Sequence, residues 1–421
     1  MRPRWSVSLM VFSGLIIIAA LSFVPYSLKI RQRDARPIVT RSFATYAADV
    51  ETPAIGKPLF DVAAWYAARG EELERHGVLI ETLDGKHTLA SLNADVTFNP
   101  ASLSKLATSL AALKRFGANY RFRTRVYLDG ATENGTFRGD LYVASDDPLF
   151  GDIQASLIAN DLRRKFGIKR AIGTLFVAPG LCFNFTDAPA EAAARLNRAL
   201  KLGPMKTAVA APPDTEPTFT IDSYRLRDVL LYMNAHSSNF VADRLAALVG
   251  GPAEIQRFLA EQISIPNHQL LFESGSGLGH NRLTPRGIVA ILRALVEELQ
   301  RQGLDPEDIL PFAGTDAGTL RHRLRGTPLE GALVGKTGTL TTIDGGMASL
   351  AGIVYTNDYG LVLFALLNQG PRVWESRQME DALLTELLAT HSLPRASLKS
   401  FTRRQLLPSL SEMDGTKESG E

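Results

Sequence analysis

The chain has 421 residues, in which 46 Lys and Arg stand against 44 Asp and Glu, and 45% of all residues are hydrophobic. A net charge of +2, with both signs dispersed, leaves no basic face for nucleic acid, so no nucleic-acid partner is expected. The single cysteine, Cys182, excludes an intramolecular disulfide, and no His or Cys stands at metal-ligand spacing, so neither a metal nor another cofactor is expected.

In chain order, the first element is an apolar run over residues 7–24, flanked by Arg2 and Arg4 before it and by Lys29, Arg31, Arg33 and Arg36 after it. As a helix it would span about 27 Å, close to the roughly 30 Å hydrocarbon core of a bilayer. Residues 1–36 therefore read as an export signal, either cleaved or kept as a membrane anchor. Basic residues rather than a small-x-small site follow the run, which favours the anchor. Either outcome makes the rest of the chain extracytoplasmic, in the periplasm or at the cell surface.

A linker carrying Pro37, Pro53 and Pro58 leads into a predicted helix over Leu59–His76. Gly77–Leu83 then reads as a strand, Asp84-Gly85 as a hairpin turn and Thr88–Leu92 as the return strand. From Ser102 to Phe116, Leu103, Leu106, Ala107, Leu110, Ala111 and Leu113 recur at helical spacing and predict a deeply buried helix. Beyond Arg125 the pattern becomes short strands and turns, continuing through Asp161–Phe166 and Gly173–Ala178 to a Pro-rich loop at Ala211–Pro217. Asp146-Asp147-Pro148 in this stretch reads as a turn. Two apolar helices follow, Tyr224–Ala235 and Phe240–Leu248, and the segments around Leu333, Ala348–Val354 and Leu361–Leu367 read as strands. The length after the leader exceeds one ordinary core. We divide it into a main domain of residues 37–126 and 218–395, an inserted accessory domain at 127–217, and a polar tail at 396–421.

Three short motifs lie on this frame. Ser102-Leu-Ser-Lys105 opens the buried helix, so Ser102 and Lys105, three residues apart, share one face and the amine can act as base to the hydroxyl. Taken alone, the pair occurs at chance frequency. Ser237-Ser-Asn239 links the two later helices and can turn a hydroxyl and an amide into a neighbouring cleft, although Ser and Asn also cap helices there. Lys336-Thr-Gly-Thr339 sits on a predicted strand. It is not a phosphate-binding loop, because position 330 is Glu where such a loop needs Gly. Ser276, within Gly275–Gly279, lacks the Gly-x-Ser-x-Gly setting of a nucleophile elbow.

In this order the motifs resemble the penicillin-recognising serine enzymes. Phe98-Asn-Pro-Ala-Ser102, Met233–Asn239, Gly275-Ser-Gly-Leu278, Arg282-Leu-Thr-Pro285 and Leu310–Gly314 narrow the resemblance to D-alanyl-D-alanine carboxypeptidases/endopeptidases, the class C low-molecular-mass penicillin-binding proteins. The resemblance implies a serine β-lactamase/DD-peptidase-like α/β (α+β) fold: an antiparallel sheet flanked by helices, an all-helical part and a β-rich insertion. It implies hydrolysis of peptidoglycan stem peptides, by removal of terminal D-Ala or cutting of D-Ala-meso-diaminopimelate cross-links, and binding of β-lactams. By this resemblance Ser102 is the nucleophile, Lys105, Ser237, Asn239 and Lys336 are catalytic, and Thr337, Gly338 and Thr339 bind substrate. The N–H groups of Ser102 and Thr339 would form the oxyanion site. The stretch between Ser102 and Ser237 is shorter than that family's usual insertion. A serine β-lactamase is the alternative, although Ala193 stands where one lactamase class has the Glu preceding Leu196-Asn197; an inactive cell-wall scaffold of the same fold is another.

Overall fold

The computed structural model describes residues 58–395. The leader at 1–36 and its apolar run 7–24 lie outside the described residues, as does the tail 396–421. Among the described residues no helix is long and apolar enough to cross a membrane.

Helix α1 (Val62–Ala67) is capped by Asp61, whose Oδ1 accepts the Ala64 N–H at 2.9 Å. It is shorter than the predicted Leu59–His76 helix, because Gly70 takes φ +75° and His76 already belongs to strand β1 (His76–Thr82). All seven residues of β1 are buried. Strand β2 (Thr88–Leu92) returns antiparallel around Asp84, whose Oδ1 holds Thr82 Oγ1 at 2.6 Å and the Lys86 N–H at 3.1 Å.

The central helix begins with a 3-10 turn, Ala101–Leu103, and continues as α2 (Ser104–Phe116). Ser104 through Leu113 are buried without a break, so α2 is surrounded on all sides. Its first turn is tighter than the predicted uninterrupted helix from Ser102.

Strands β3 (Arg121–Glu133) and β4 (Thr136–Ser145) form a long hairpin. Asn134 and Gly135 both take positive φ at its two-residue turn, the combination that matches strand twist. Then come α3 (Asp152–Lys165), β5 (Arg170–Ile172), β6 (Thr174–Val177), α4 (Pro189–Leu200), β7 (Lys206–Val209) and β8 (Phe219–Arg225). The second sheet runs β7-β6-β4-β3-β8 with β5 beside β4; β6 lies parallel to β4, and β7 to β6. Parallel neighbours need crossovers, which α3 and α4 provide. The sequence reading anticipates short strands in this stretch, β6 among them, but not β7, β8 or either helix, and Asp161–Lys165 belongs to α3. Phe137, Leu141, Ile158, Leu162, Leu196 and Leu200 share a core beneath this sheet.

The chain re-enters the first layer through α5 (Leu226–His236), α6 (Asn239–Leu248), α7 (Pro252–Gln262) and α8 (Pro285–Arg301). Strands β9 (Leu333–Leu340), β10 (Met347–Tyr355) and β11 (Leu361–Gln369), with helix α9 (Val373–Leu388), complete it. The first sheet is five-stranded and wholly antiparallel, in the order β2-β1-β11-β10-β9. Val78, Ile80, Leu350, Val354, Phe364 and Leu366 point from alternate strand positions into a core shared with Leu383, Leu384 and Leu388 of α9. The fold is thus the expected mixed α/β arrangement of an antiparallel sheet flanked by helices. The edge strand β9 lies beside the Ser102 turn.

Candidate active site

The half-buried Ser102 is held on its 3-10 turn by unusual backbone. Ala101 takes φ +50°, a left-handed conformation that costs a residue with a Cβ on the order of 1–2 kcal/mol. Asn99 fixes it: its Oδ1 accepts the Ala101 N–H at 3.0 Å, while its Nδ2 donates to Asp344 Oδ2 at 2.7 Å and to Gly279 O at 2.8 Å. Two glycines let other segments close on the turn. A Cβ on Gly277 would lie 1.8 Å from Ala101 O, and one on Gly338 would lie 2.2 Å from Ser349 Oγ and 2.9 Å from Pro100 O. Gly338 is therefore required for the close approach of β9 to the Ser102 turn.

Lys105 is fully buried one helical turn further on. Its Nζ reaches Ser102 Oγ at 2.9 Å, Asn239 Oδ1 at 2.8 Å and Ser276 O at 2.6 Å. Burial pulls its pKa down to about 7, opposed by the Asp243 carboxylate. Lys336 is also fully buried, and donates to Ser237 Oγ at 2.8 Å and Thr337 O at 2.7 Å. Its pKa is driven well below the usual lysine range by burial and then by Lys105.

The Ser-x-Asn link divides capping from chemistry. Ser238 caps α6, its Oγ accepting the Val241 N–H at 3.4 Å. Ser237 closes α5 in a left-handed conformation, φ +56°, which leaves its hydroxyl on Lys336, while Asn239 reaches Lys105. Ser104 takes no part in the chemistry: its Oγ donates to Ala101 O at 3.0 Å and accepts from Asn281 Nδ2 at 2.9 Å.

Three residues enter to which the sequence reading gives no role, although Thr319 stands in Gly318-Thr-Leu320, a further stretch that resembles the family. Thr319 Oγ1 accepts from Thr337 Oγ1 at 2.7 Å, and the Thr319 N–H donates to Ala235 O at 2.8 Å. Arg377 of α9 donates from Nη2 to Thr339 Oγ1 and lies over the Trp374 ring, 4.3 Å from its centroid. Glu380 and Asp381 are both taken by Arg323, so among the described residues Arg377 has no ion-pair partner. Asp243 Oδ1 accepts the Ser276 N–H at 2.8 Å. Its signal was its place four residues after Asn239, on the same helix face; Arg377 has no local signal at all. Among the described residues no group of three His, Cys, Asp or Glu could hold a metal ion.

A serine hydroxyl on a buried near-neutral amine, with a second amine, a second hydroxyl and an amide beside it, is a setting for nucleophilic acyl transfer. The chain is 26% identical over 375 residues to a carboxypeptidase of Mycobacterium tuberculosis, a match that spans 74% of this chain and 79% of that protein. Among solved structures it superposes on a penicillin G acylated predatory endopeptidase of Bdellovibrio bacteriovorus with a TM-score of 0.66 and 22% identity, over 76% of this chain and 93% of that one. Penicillin binding protein 4 of Haemophilus influenzae gives a TM-score of 0.60 at 20% identity, over 73% and 96% of the two chains. The family model for D-Ala-D-Ala carboxypeptidase 3 matches residues 61–181 and 180–390, which take in Ser102, Lys105, Ser237, Asn239, Lys336 and Arg377. The chain belongs to the D-Ala-D-Ala carboxypeptidase 3 (S13) family of peptidases.

Proposed function

We propose that the chain is a serine DD-peptidase that cleaves peptidoglycan stem peptides through an acyl-enzyme on Ser102, and that penicillins acylate the same hydroxyl. The observation that carries this reading is the convergence on one amine: Lys105 Nζ lies within hydrogen-bond reach of Ser102 Oγ and Asn239 Oδ1 together. With a pKa near 7, much of Lys105 is neutral at neutral pH and can accept the Ser102 proton. Ser102 Oγ attacks the carbonyl of the penultimate D-Ala, and the oxyanion is received by the N–H groups of Ser102 and Thr339. One such donor is worth about 100- to 1000-fold in rate. As the carbonyl re-forms, the C–N bond breaks and Ser237, on Lys336, passes a proton to the leaving amine and regains the one that Lys105 took from Ser102, so that Lys105 is again neutral and Ser237 again a hydroxyl. Asn239 holds Lys105 and the substrate amide. Thr337, Thr339 and Lys336 receive the substrate's terminal carboxylate, with Arg377 behind Thr339. Water then hydrolyses the ester and frees Ser102.

If the amine that leaves belongs to a cross-linked stem, the same steps cut a cross-bridge. A peptidoglycan substrate places the enzyme outside the cytoplasmic membrane, in keeping with a signal or anchor at 1–36. The Bdellovibrio neighbour's penicillin-acylated form supports the β-lactam part of the reading.

The test is labelling by a fluorescent penicillin, with D-Ala release from a stem pentapeptide measured in parallel. Ser102→Ala should abolish both, while Ser104→Ala should keep the label. Label lost within seconds would point to a β-lactamase instead. Absence of label and of D-Ala release from the wild type would leave only a scaffold.

A further inference from the structure

Asn239 and Asp243 are one turn apart on α6, so their side chains share the face that meets α2 and the Gly275–Gly279 loop. Asp243 Oδ1 accepts the Ser276 N–H at 2.8 Å, and the Ser276 carbonyl accepts from Lys105 Nζ at 2.6 Å. The backbone of one residue separates the carboxylate from the amine. That backbone is held firmly: Thr108 Oγ1 donates to Gly275 O at 2.8 Å, and a Cβ on Gly275 would lie 2.4 Å from Ala246 Cβ.

The charged groups facing Lys105 are Asp243 from α6 and Lys336 from β9. From α2 and the loop it meets only the Ser102 hydroxyl and the Ser276 carbonyl. Arg244 turns away and lies over the Phe240 ring, 5.7 Å from its centroid, and Glu273 is occupied by the His280 N–H at 2.7 Å.

We propose that Asp243 is a positioning residue for the general base: it holds the Ser276 carbonyl on Lys105 Nζ and, through its charge, sets the pH at which Ser102 is acylated. A carboxylate beside an amine favours the ammonium form, so Asp243 opposes the effect of burial and stops Lys105 from losing its proton far below neutrality. Asp243 is exposed, so water and salt screen it, and its influence is on the order of one pH unit or less.

The proposal rests on Ser102 being the acylated hydroxyl. The test is the rate of labelling of the full chain by a fluorescent penicillin between about pH 5 and about pH 9, a range that brackets the titration of a depressed lysine. Asp243→Asn keeps an acceptor for the Ser276 N–H and removes the charge. Its rate should rise with pH about half to one unit earlier than the wild type's, with the plateau unchanged. At about 1 M salt the wild-type curve should move toward the variant's. Asp243→Ala removes the anchor too, and its plateau should also fall about tenfold or more. Asp243→Glu should bring the curve back toward the wild type's.

Coincident curves for the wild type and Asp243→Asn would overturn the role of the charge, and a wild-type plateau in Asp243→Ala would overturn the anchoring role. Thermal unfolding of each variant shows that the folded protein is being read, and the isosteric Asn variant decides the charge question even if the Ala variant fails to fold. A wild type that takes no label overturns the Ser102 reading and this proposal with it; a labelled wild type with an unmoved Asn curve overturns only the role of Asp243.

Discussion

Two places in the molecule, one beside each sheet, keep ionisable groups fully out of water and treat them in opposite ways. Beside the first sheet, Lys105 and Lys336 are buried amines with no carboxylate in hydrogen-bond contact, and each is directed at a serine hydroxyl. Beside the second, Asp147 is buried among donors: Leu149 N–H at 2.8 Å on Oδ1, Gln154 Nε2 at 3.1 Å on Oδ2, and Ser223 Oγ. Both arrangements shift a pKa by burial. The carboxylate sits in a completed network whose donors come from β8, α3 and the loop that joins β4 to α3. The amines meet serine hydroxyls instead, and a proton can move along the bond that joins them. Burial alone does not mark a site; burial beside an unspent reactive partner does.

Exchanging the two kinds of residue gives the sharpest break in this comparison. Lys105→Met should lower the acylation rate about 1000-fold or more, the scale of a lost general base. Its unfolding free energy should change by no more than about 1 kcal/mol, because relief from burying the amine offsets the lost hydrogen bonds. Asp147→Ala should do the reverse: it strands three buried donors and costs about 2–4 kcal/mol of stability, while the folded protein is acylated as before. Denaturant unfolding and penicillin labelling of both variants measure the contrast. Equal effects of the two substitutions on rate would abolish the distinction between the sheets.

A smaller effect separates the same groups by pH. Acylation should fall about tenfold for each pH unit below about 7, as Lys105 gains the proton that blocks it. Asp147 acts on stability instead. Burial raises its pKa from 3.8 to about 6, so between these values the folded state holds a proton that the unfolded state has released. Stability must therefore fall as pH rises through that window, by about 3 kcal/mol for a shift of this size, and stay level above it. Asp147→Asn should remove that slope in unfolding experiments across the window and leave the pH dependence of acylation alone. A slope that survives the substitution would mean that other carboxyls carry it.

How much of this was legible in the sequence follows from the same contrast. Ser102, Lys105 and the Lys336 strand announce themselves through residue type at short spacing, since a helical turn or a single strand delivers them. Strands β1, β2, β10 and β11 are legible as apolar runs for the same reason. Helices α3 and α4 are not, because much of what they bury is alanine, Ala155, Ala159, Ala192 and Ala193, whose small side chains leave only a faint apolar stripe. The predicted helix at Leu59–His76 fails where Gly70 and the buried strand residue His76 outweigh spacing. Gly277 and Gly338 look like loop and motif glycines until the structure brings the Ser102 turn against them. Arg377 reaches the site through a tertiary contact with β9, and no local pattern encodes that.

Arg377 provides the smallest and most selective comparison. Beside the second sheet, Arg244 spends its guanidinium on the Phe240 ring; on α9, Arg377 stacks on Trp374 and touches Thr339, with both nearby acidic side chains taken by Arg323. Under the proposed function, an arginine half-buried and in no ion-pair contact among the described residues, beside Thr339, is placed to meet an anion that arrives with the substrate. Arg377→Ala should raise KM for a peptide ending in free D-Ala about tenfold, the scale of one hydrogen bond to a charged group, with a lesser change in kcat. Arg377→Lys should recover only part of the loss, because an ammonium lacks the planar fork. The decisive control is the same peptide with its terminal carboxylate amidated, on which wild type and Arg377→Ala should differ little. An equal loss on both peptides would mean that Arg377 serves only to hold Thr339 in place, and that the carboxylate is received by β9 alone.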